Sequence, residues 1–452
     1  MQSSSETKPS TTAHNSDANA LAKKYQKKTD KEHILDNPDT YTGSMEQISN
    51  VLHVLGDDEK VVSREITYIP GLYKLFDEAI VNCHDHAIRT SIQEKSESHF
   101  PVTTIEVTIH EDGTMVFYND GNGIDVTEHP EHKIWIPEMI FAHLRTGTNY
   151  DKSEKKIVGG KNGFGAKLIF IWSHFGELET VDYIRGKRFV QTYHNNLNTI
   201  SKPKITASKK KPYTKITFKP DFARLGIDSL TPDMIALFKK RVYDIAAVTD
   251  KSIKVKLNGN IVPVRTFPNY IDMYIGAKSD VKRIHECPHP RWEYAVSLTP
   301  DDEFRQVSFV NGIHTSKGGK HVEYILNQII KKMVAFIEKK KKVTVKSNTI
   351  KEQLMLFVRC DIENPSFDSQ TKDFISTPVA KFGSTCVVSD AFIEKLAKMG
   401  IMQTACDLTT IKENKTAKKS DGSKTKSVRG IPKLVDANYA GTAKSHMCSL
   451  IL

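Results

Sequence analysis

A carboxylate and an amide lie one helical turn apart in a segment with helical periodicity. Glu78, Asn82, Asp85 and His86 fall at positions i, i+4, i+7 and i+8, so on a helix they share one stripe. Glu78 could act there as a general base. The oxygen of Asn82 could ligate Mg²⁺, which often takes one or two protein ligands and leaves the rest to phosphates and water. A solvated polar face is the alternative, and the helix by itself favours that alternative.

A second polar segment, Asn119-Asp120-Gly121-Asn122-Gly123-Ile124, directly follows a predicted strand. Its glycines permit a tight turn and close approach of the backbone to a ligand. The carboxylate of Asp120 could accept hydrogen bonds from an exocyclic amine. The D-G-x-G pattern is short, so an ordinary turn after a strand remains the alternative.

A glycine-rich segment follows at residues 158–167, with the sequence V-G-G-K-N-G-F-G-A-K. It precedes an apolar run that could start a helix, and such a loop offers backbone N–H groups to phosphate. Ala166 stands where a P-loop requires lysine, and the G-x-G-x-x-G pattern is not met. Because Lys161 and Lys167 accompany the glycines, phosphate binding is favoured over a flexible linker.

Regular elements must hold these three segments in place. Residues 70–88 have the apolar spacing of a helix, and residues 105–109 and 115–118 alternate as two strands around the turn Asp112-Gly113. Further strands are predicted at 178–184, 187–194 and 214–219, with a helix at 232–247.

The pattern then repeats on a smaller scale. Strands are predicted at 253–257, 292–298, 304–310 and 354–361, and a long helix at 320–338. A strand, crossover helix and strand in this order indicate a second α/β unit. We place the domains at 23–250 and 251–408, after a disordered tail at 1–22 and before a basic linker region at 409–452.

Composition limits the class of protein. The chain has 452 residues, a net charge of +11 and six cysteines without a C-x-x-C pair. No apolar run approaches the roughly 18 residues that span a bilayer, and the N-terminus has no signal-peptide core. We therefore expect an intracellular protein that is neither secreted nor membrane-bound. The excess of lysine and arginine over aspartate and glutamate, 65 against 54, weakly suggests a polyanionic partner such as nucleic acid. Lys339, Lys340, Lys341 and Lys342 are candidates for DNA contact, although lysines that complement a helix dipole are an equal alternative.

Taken in order, the E-x-x-x-N helix, the D-G-x-G turn and the G-x-x-G-x-G loop resemble the Bergerat ATP-binding fold of the GHKL superfamily. Longer segments are similar to the N-terminal ATPase region of the eukaryotic-type type IIA DNA topoisomerases. The segments that carry this narrower resemblance are Tyr25 to Thr29, Pro38 to Ser44, Ile69 to Lys74, Lys155 to Lys167, Phe309 to Gly312, Lys317 to His321, Ile362 to Lys372 and Gly430 to Asn438.

The resemblance implies an α+β fold, in which a GHKL sandwich of helices on a mixed β-sheet precedes a smaller α/β transducer domain with a crossover helix. It also implies ATP and Mg²⁺ as ligands. Glu78 would be the general base, Asn82 the metal ligand, Asp120 the adenine contact and Lys372 a contact to the γ-phosphate. The remaining nucleotide-binding positions would be Gly147, Thr148, Asn149, Gly160, Lys161, Asn162, Gly163, Phe164, Gly165, Ala166, Lys167, Gln370 and Thr371.

By the same resemblance, two copies would dimerise on ATP and capture a DNA duplex for passage through a break that other domains make. The chain would lie where that DNA is, in the nucleus or in a viral factory or virion. Because no cleavage domain is recognised before Leu452, we expect no DNA cleavage by these residues. The alternatives are another GHKL ATPase, MutL-like or chaperone-like, and a catalytically dead DNA-binding scaffold.

Three positions depart from the family pattern. His86 stands where the cellular enzymes usually have asparagine, Gly147 replaces a hydroxyl residue, and Asp120 replaces an asparagine. These departures indicate a divergent enzyme and suggest a large DNA virus as its source.

Overall fold

The computed structural model describes residues 20–21, 24–94, 96–146, 155–160, 163–411, 439 and 443–448. The predicted tail at 1–22 and the region after residue 411 fall largely outside these residues. Among the described helices, none is long and apolar enough to cross a membrane.

The predicted elements occur in the predicted order, and further elements lie between them. The principal helices are α1 (Asp30–Asp36), α2 (Pro70–Ile92), α3 (Ile136–Ala142), α4 (Gly165–Ile171), α5 (Pro232–Val248), α6 (Phe267–Ile275), α7 (Lys320–Lys341), α8 (Ser347–Lys351) and α9 (Asp390–Leu396). The strands are β1 (Ile48–Leu55), β2 (Val61–Tyr68), β3 (Thr104–Ile109), β4 (Met115–Asp120), β5 (Ser173–Asp182), β6 (Lys187–His194), β7 (Thr199–Ile200), β8 (Lys204–Ala207), β9 (Tyr213–Pro220), β10 (Lys254–Leu257), β11 (Asn260–Ile261), β12 (Arg283–His289), β13 (Trp292–Leu298), β14 (Arg305–Val310), β15 (Ile313–His314), β16 (Gly318–Gly319), β17 (Leu354–Cys360) and β18 (Phe374–Ile375).

The first unit is built on a mixed sheet with the strand order β11-β10-β3-β4-β9-β5-β6-β7, and β8 pairs with β6. The predicted hairpin around Asp112-Gly113 is confirmed, because β3 and β4 pair antiparallel. Aromatic rings join one face of this sheet to the helices. Phe76 of α2 meets Phe117 of β4 edge-on at 5.1 Å and stacks on Phe238 of α5 at 4.5 Å.

The start of helix α2 and its buried face are explained by its sequence. Pro70 occupies its first turn, where a missing N–H costs nothing. Its apolar residues are buried, and the helix ends at Ile92, beyond the predicted residue 88. An antiparallel hairpin of β1 and β2, which periodicity did not predict, precedes it. Val54 and Ile66 of this hairpin pack with Leu237 of α5.

The second unit contains a five-stranded sheet with the order β12-β13-β17-β14-β15. Strands β14 and β17 are parallel neighbours, and α7 lies between them in the chain, so the predicted crossover helix is confirmed. Ile325, Ile329, Met333 and Ile337 recur every fourth residue along α7 and belong to the core of this unit.

The division between the units lies further along the chain than the predicted boundary near residue 250. The first unit contains residues 1–270 and Ser369–Thr371, and the second contains the remainder. The difference has a physical reason, since β10 pairs in parallel with β3 and extends the first sheet. The boundary therefore falls within α6 and not before β10.

Candidate nucleotide-binding site

Glu78 lies in the buried part of α2, at 5% exposure, so a solvated polar face is excluded for this residue. Its Oε1 is 2.9 Å from Nζ of Lys74, one turn earlier on the helix. The same ammonium lies 2.9 Å from Oδ2 of Asp77. One buried lysine therefore holds one oxygen of the Glu78 carboxylate in a fixed place.

The other oxygen of Glu78 lies against the end of the glycine-rich segment. A methyl group added to Gly165 would come within 2.1 Å of Oε2 of Glu78. Gly165 is also the first residue of α4, so the predicted loop-to-helix transition is confirmed. A residue with a side chain at this position could not coexist with the carboxylate where it lies.

Asn82 and Asp85 lie on the following turn of α2. Asn82 is half-buried and offers an amide oxygen one turn from Glu78. Such a hard neutral ligand beside a phosphate site suits Mg²⁺. Asp85 is buried, and its two carboxylate oxygens accept hydrogen bonds from the backbone N–H of Gly159 and Gly160, both at 2.8 Å. Asp85 thus anchors the glycine-rich segment to α2, a role that the sequence did not indicate although the stripe included this residue.

Lys167 is buried at 2% exposure, on the first turn of α4. Its ammonium donates to the carbonyl oxygen of Thr146 at 2.5 Å, and burial lowers its pKa to about 8. Gly163, Phe164 and Ala166 are half-buried around it. Five further predicted contacts lie outside the described residues: Gly147, Thr148, Asn149, Lys161 and Asn162.

At its end, β4 presents Asn119, and not Asp120, to the helices. Adjacent residues of a strand point to opposite faces, and Asn119 shares its face with Phe117, whose ring meets α2. Asn119 is 4% exposed. The carboxylate of Asp120 instead accepts hydrogen bonds from the backbone N–H groups of Thr103 and Thr104, both at 2.7 Å. Asp120 therefore fixes the start of β3, which does not fit the adenine contact expected of it.

His86 connects α2 to the turn that follows β4. Its Nε2 lies 2.6 Å from the carbonyl oxygen of Asn122, an atom that can only accept, so Nε2 carries the proton. Burial, assisted by the nearby Arg89, lowers the pKa of His86 to about 4. The imidazole is therefore neutral near pH 7, and Nδ1 is its acceptor atom. The turn itself is close-packed, because a methyl group on Gly123 would lie 1.9 Å from the carbonyl oxygen of Val181.

The segment that contains Gln370, Thr371 and Lys372 is shared between the two units. Ser369–Thr371 group with the first unit, and Lys372 begins the return to the second. Lys372 is 6% exposed and has a left-handed backbone with φ of 64°, which is uncommon for a residue other than glycine. Burial excludes a solvated surface lysine, the alternative that a loop position would suggest.

The lysine run ends α7. Lys339, Lys340 and Lys341 form its last turn, and Lys342 caps it in a left-handed conformation. All four are exposed. Positive charges at the C-terminal end of a helix complement the helix dipole, and four exposed charges are also available to a polyanion. The geometry is consistent with dipole complementation and with DNA contact.

The mixed sheet of the first unit is covered by helices and carries a buried glutamate, a neighbouring amide and an anchored glycine-rich loop. These features define a GHKL-type ATPase region. In this chain it is followed by an α/β domain of the transducer type. Comparison with known proteins narrows this class.

A family model described as DNA gyrase B matches residues 266–426. The chain is 43% identical over 437 residues to DNA topoisomerase 2 of Arabidopsis thaliana, an alignment that covers 95% of this chain and 29% of that protein. It is 42% identical over 452 residues to DNA topoisomerase 2 of Acanthamoeba polyphaga mimivirus, covering 98% of this chain and 35% of that protein. The crystal structure of the ATPase region of Saccharomyces cerevisiae topoisomerase II matches with a TM-score of 0.80 at 40% identity, covering 86% of this chain and 100% of that chain.

The chain belongs to the type II DNA topoisomerase family and corresponds to the ATPase and transducer region. It spans roughly a third of the length of the full relatives, 29% of the plant protein and 35% of the viral one. The alternative of a MutL-like or chaperone-like ATPase was therefore wrong. Identity to the plant and viral proteins is nearly equal, so it does not test the predicted viral source.

Proposed function

We propose that this chain binds and hydrolyses ATP with Mg²⁺, and that ATP closes two copies into a dimer that captures double-stranded DNA. The arrangement of Glu78 carries this proposal. One of its oxygens is held by a buried lysine, while the other borders the glycine-rich segment that Asp85 anchors. A fixed carboxylate beside a phosphate-binding loop can accept a proton from an attacking water.

The triphosphate would lie along the stripe of α2. Asn82 would hold Mg²⁺, which neutralises phosphate charge when bound. The segment from Gly160 to Lys167 would surround the phosphates with backbone N–H groups and with the ammonium of Lys167. Positioning and charge neutralisation of this kind supply most of the catalysis in phosphoryl transfer.

The adenine would lie against the sheet at Asn119. Thr214 is the register partner of Asn119 on β9, so both side chains belong to the helix-covered face. An amide and a hydroxyl can together accept from and donate to the edge of a purine. This pair replaces Asp120 as the proposed adenine contact.

Two measurements on the purified chain test the function. We expect Mg²⁺-dependent ATP hydrolysis, and conversion from monomer to dimer when a non-hydrolysable ATP analogue is added, because the ligand binds the closed state better. Light scattering with and without the analogue reports the second. A chain that binds no ATP would be a DNA-binding scaffold and would contradict the proposal.

Lys372→Ala should lower ATP hydrolysis and analogue-driven dimerisation together. We propose that Lys372 contacts the γ-phosphate, and a charge-assisted hydrogen bond in such a site contributes about 1.5–3 kcal/mol, which corresponds to roughly 10- to 150-fold in rate. ADP has no γ-phosphate, so its dissociation constant should change little. Lys381→Ala, an exposed lysine of the same unit, serves as the control. Equal losses for ADP and ATP would contradict the contact.

Replacing Lys339, Lys340, Lys341 and Lys342 together with alanine should weaken binding to duplex DNA. Each lost phosphate contact should reduce the slope of log K against log salt by about 0.9. Alanine replacement of the exposed run Lys209–Lys211 is the matched control and should leave that slope unchanged. If the two variants behave alike, the run on α7 serves only to complement the helix dipole.

A further inference from the structure

A buried ionic cluster lies behind Glu78, between α2 and α5. Arg241 of α5 is fully buried, and its Nε lies 2.7 Å from Oδ1 of Asp77. Oδ2 of Asp77 is 2.9 Å from the ammonium of Lys74, which also pairs with Glu78. The contacts form one chain, from Arg241 through Asp77 and Lys74 to the carboxylate of Glu78.

The cluster balances its charges. It contains two cations and two carboxylates, and none of the four residues exceeds 6% exposure. Burial alone would raise the pKa of Asp77, but its pairs with Lys74 and Arg241 outweigh burial and hold that pKa well below the ordinary value. Burial would likewise lower the pKa of Lys74, but Glu78 and Asp77 outweigh it and raise that pKa. Asp77 is therefore ionised and Lys74 protonated near pH 7.

We propose that Arg241 is a positioning residue for ATP hydrolysis. Asp77 is shared between two cations, so Arg241 fixes the carboxylate that in turn fixes Lys74. Lys74 then holds Oε1 of Glu78 and directs the carboxylate towards the glycine-rich segment. The inference rests on the proposed role of Glu78 as the base, but it concerns a residue on another helix, 164 positions beyond Asp77 in the chain.

The same helix carries a second buried ion pair, whose carboxylate also attracts the guanidinium of Arg241. Lys240 donates to Asp244 at 2.9 Å, and both residues are buried. Asp244 also accepts from the hydroxyl of Tyr270 at 2.5 Å. Removing the cation from either pair leaves a buried carboxylate without it, so both changes should cost stability, whereas Arg241 is the cation that contacts Asp77, the partner of Lys74.

The test compares Arg241→Met with Lys240→Met. For Arg241→Met we expect kcat for ATP to fall about 10- to 100-fold, since displacement of a catalytic group by about an ångström has effects of this size. The KM for ATP and the dissociation constant of a non-hydrolysable analogue should stay within about threefold of the wild type. Lys240→Met should lower the thermal midpoint similarly and keep kcat. Arg241→Lys, which retains the charge, should recover part of kcat.

Two results would overturn the proposal. One is equal loss of kcat in both methionine variants, which would indicate a structural effect only. The other is a rise in KM with unchanged kcat for Arg241→Met. If Arg241→Met does not fold, Asp77→Asn is measured in its place, because this nearly isosteric change breaks the same link between Arg241 and Lys74. A normal kcat for Asp77→Asn would also overturn the proposal. Failure of the function itself is distinguishable, since the wild type would then not hydrolyse ATP.

Discussion

Glu78→Gln should nearly abolish ATP hydrolysis while ATP binding persists. The amide has the shape of the carboxylate but cannot accept a proton from water, and loss of a general base typically costs about 10²–10⁴-fold in rate. The nucleotide contacts proposed for Asn82 and the glycine-rich segment do not depend on that proton transfer. A steady-state hydrolysis assay and titration with a fluorescent ATP analogue measure the two effects separately.

The control for this change is another buried, ion-paired carboxylate of the same unit. Glu179 is 6% exposed, and Arg188 and Lys215 lie 2.6 and 2.8 Å from its oxygens. Glu179→Gln should reduce stability without a comparable loss of turnover. If Glu78→Gln hydrolyses ATP at a normal rate with intact binding, the assignment of Glu78 as the base is wrong.

The spacing of apolar and polar residues within short segments was sufficient to predict the elements that position this site. The periodicity of residues 70–88 predicted α2 and the shared stripe, because helical spacing alone brings Glu78, Asn82 and Asp85 to one side. The crossover through α7 was predicted for a similar reason, since a long amphipathic helix between two apolar strands has few other arrangements. In both cases the information lies within a short window of sequence.

Non-local pairing was not predictable in the same way. Strand β10 belongs to the first sheet because Lys254–Leu257 pairs with residues about 150 positions earlier, beginning at Thr104. Nothing within β10 itself indicates that partner. The link from Arg241 to Asp77 is equally remote, and an arginine within an amphipathic helix would ordinarily be assigned to solvent.

The expectation for Asp120 differs from these cases, because the information that opposes it is present in the sequence. Residues 115–118 had been interpreted as a strand that alternates between two faces. Continuing that alternation by one step puts Asn119 with Met115 and Phe117 on the buried face and Asp120 on the other. A carboxylate suits an exocyclic amine chemically, but the period of the strand decides which side chain reaches the helices.

Gly165→Ala should reduce hydrolysis by about 10²-fold with little effect on folding. The new methyl group would lie 2.1 Å from Oε2 and 2.8 Å from Cδ of Glu78, far inside ordinary contact. The end of a glutamate side chain is flexible, so the carboxylate can move aside and the fold should survive. The movement would pull Glu78 from its contact with Lys74 and from the position proposed for the base, and a misplacement of about an ångström is sufficient for a loss of this size.

A double variant separates this cause from general damage to the glycine-rich segment. If Gly165→Ala acts through the carboxylate, it should cause no further loss of kcat in a Glu78→Gln background, because the base is already absent and effects on one catalytic unit do not add. Binding of the ATP analogue should be similar in the single and double variants. Additive losses, or a Gly165→Ala enzyme with normal turnover, would show that Glu78 does not depend on the space left by this glycine. The proposed geometry of the base would then have to be abandoned.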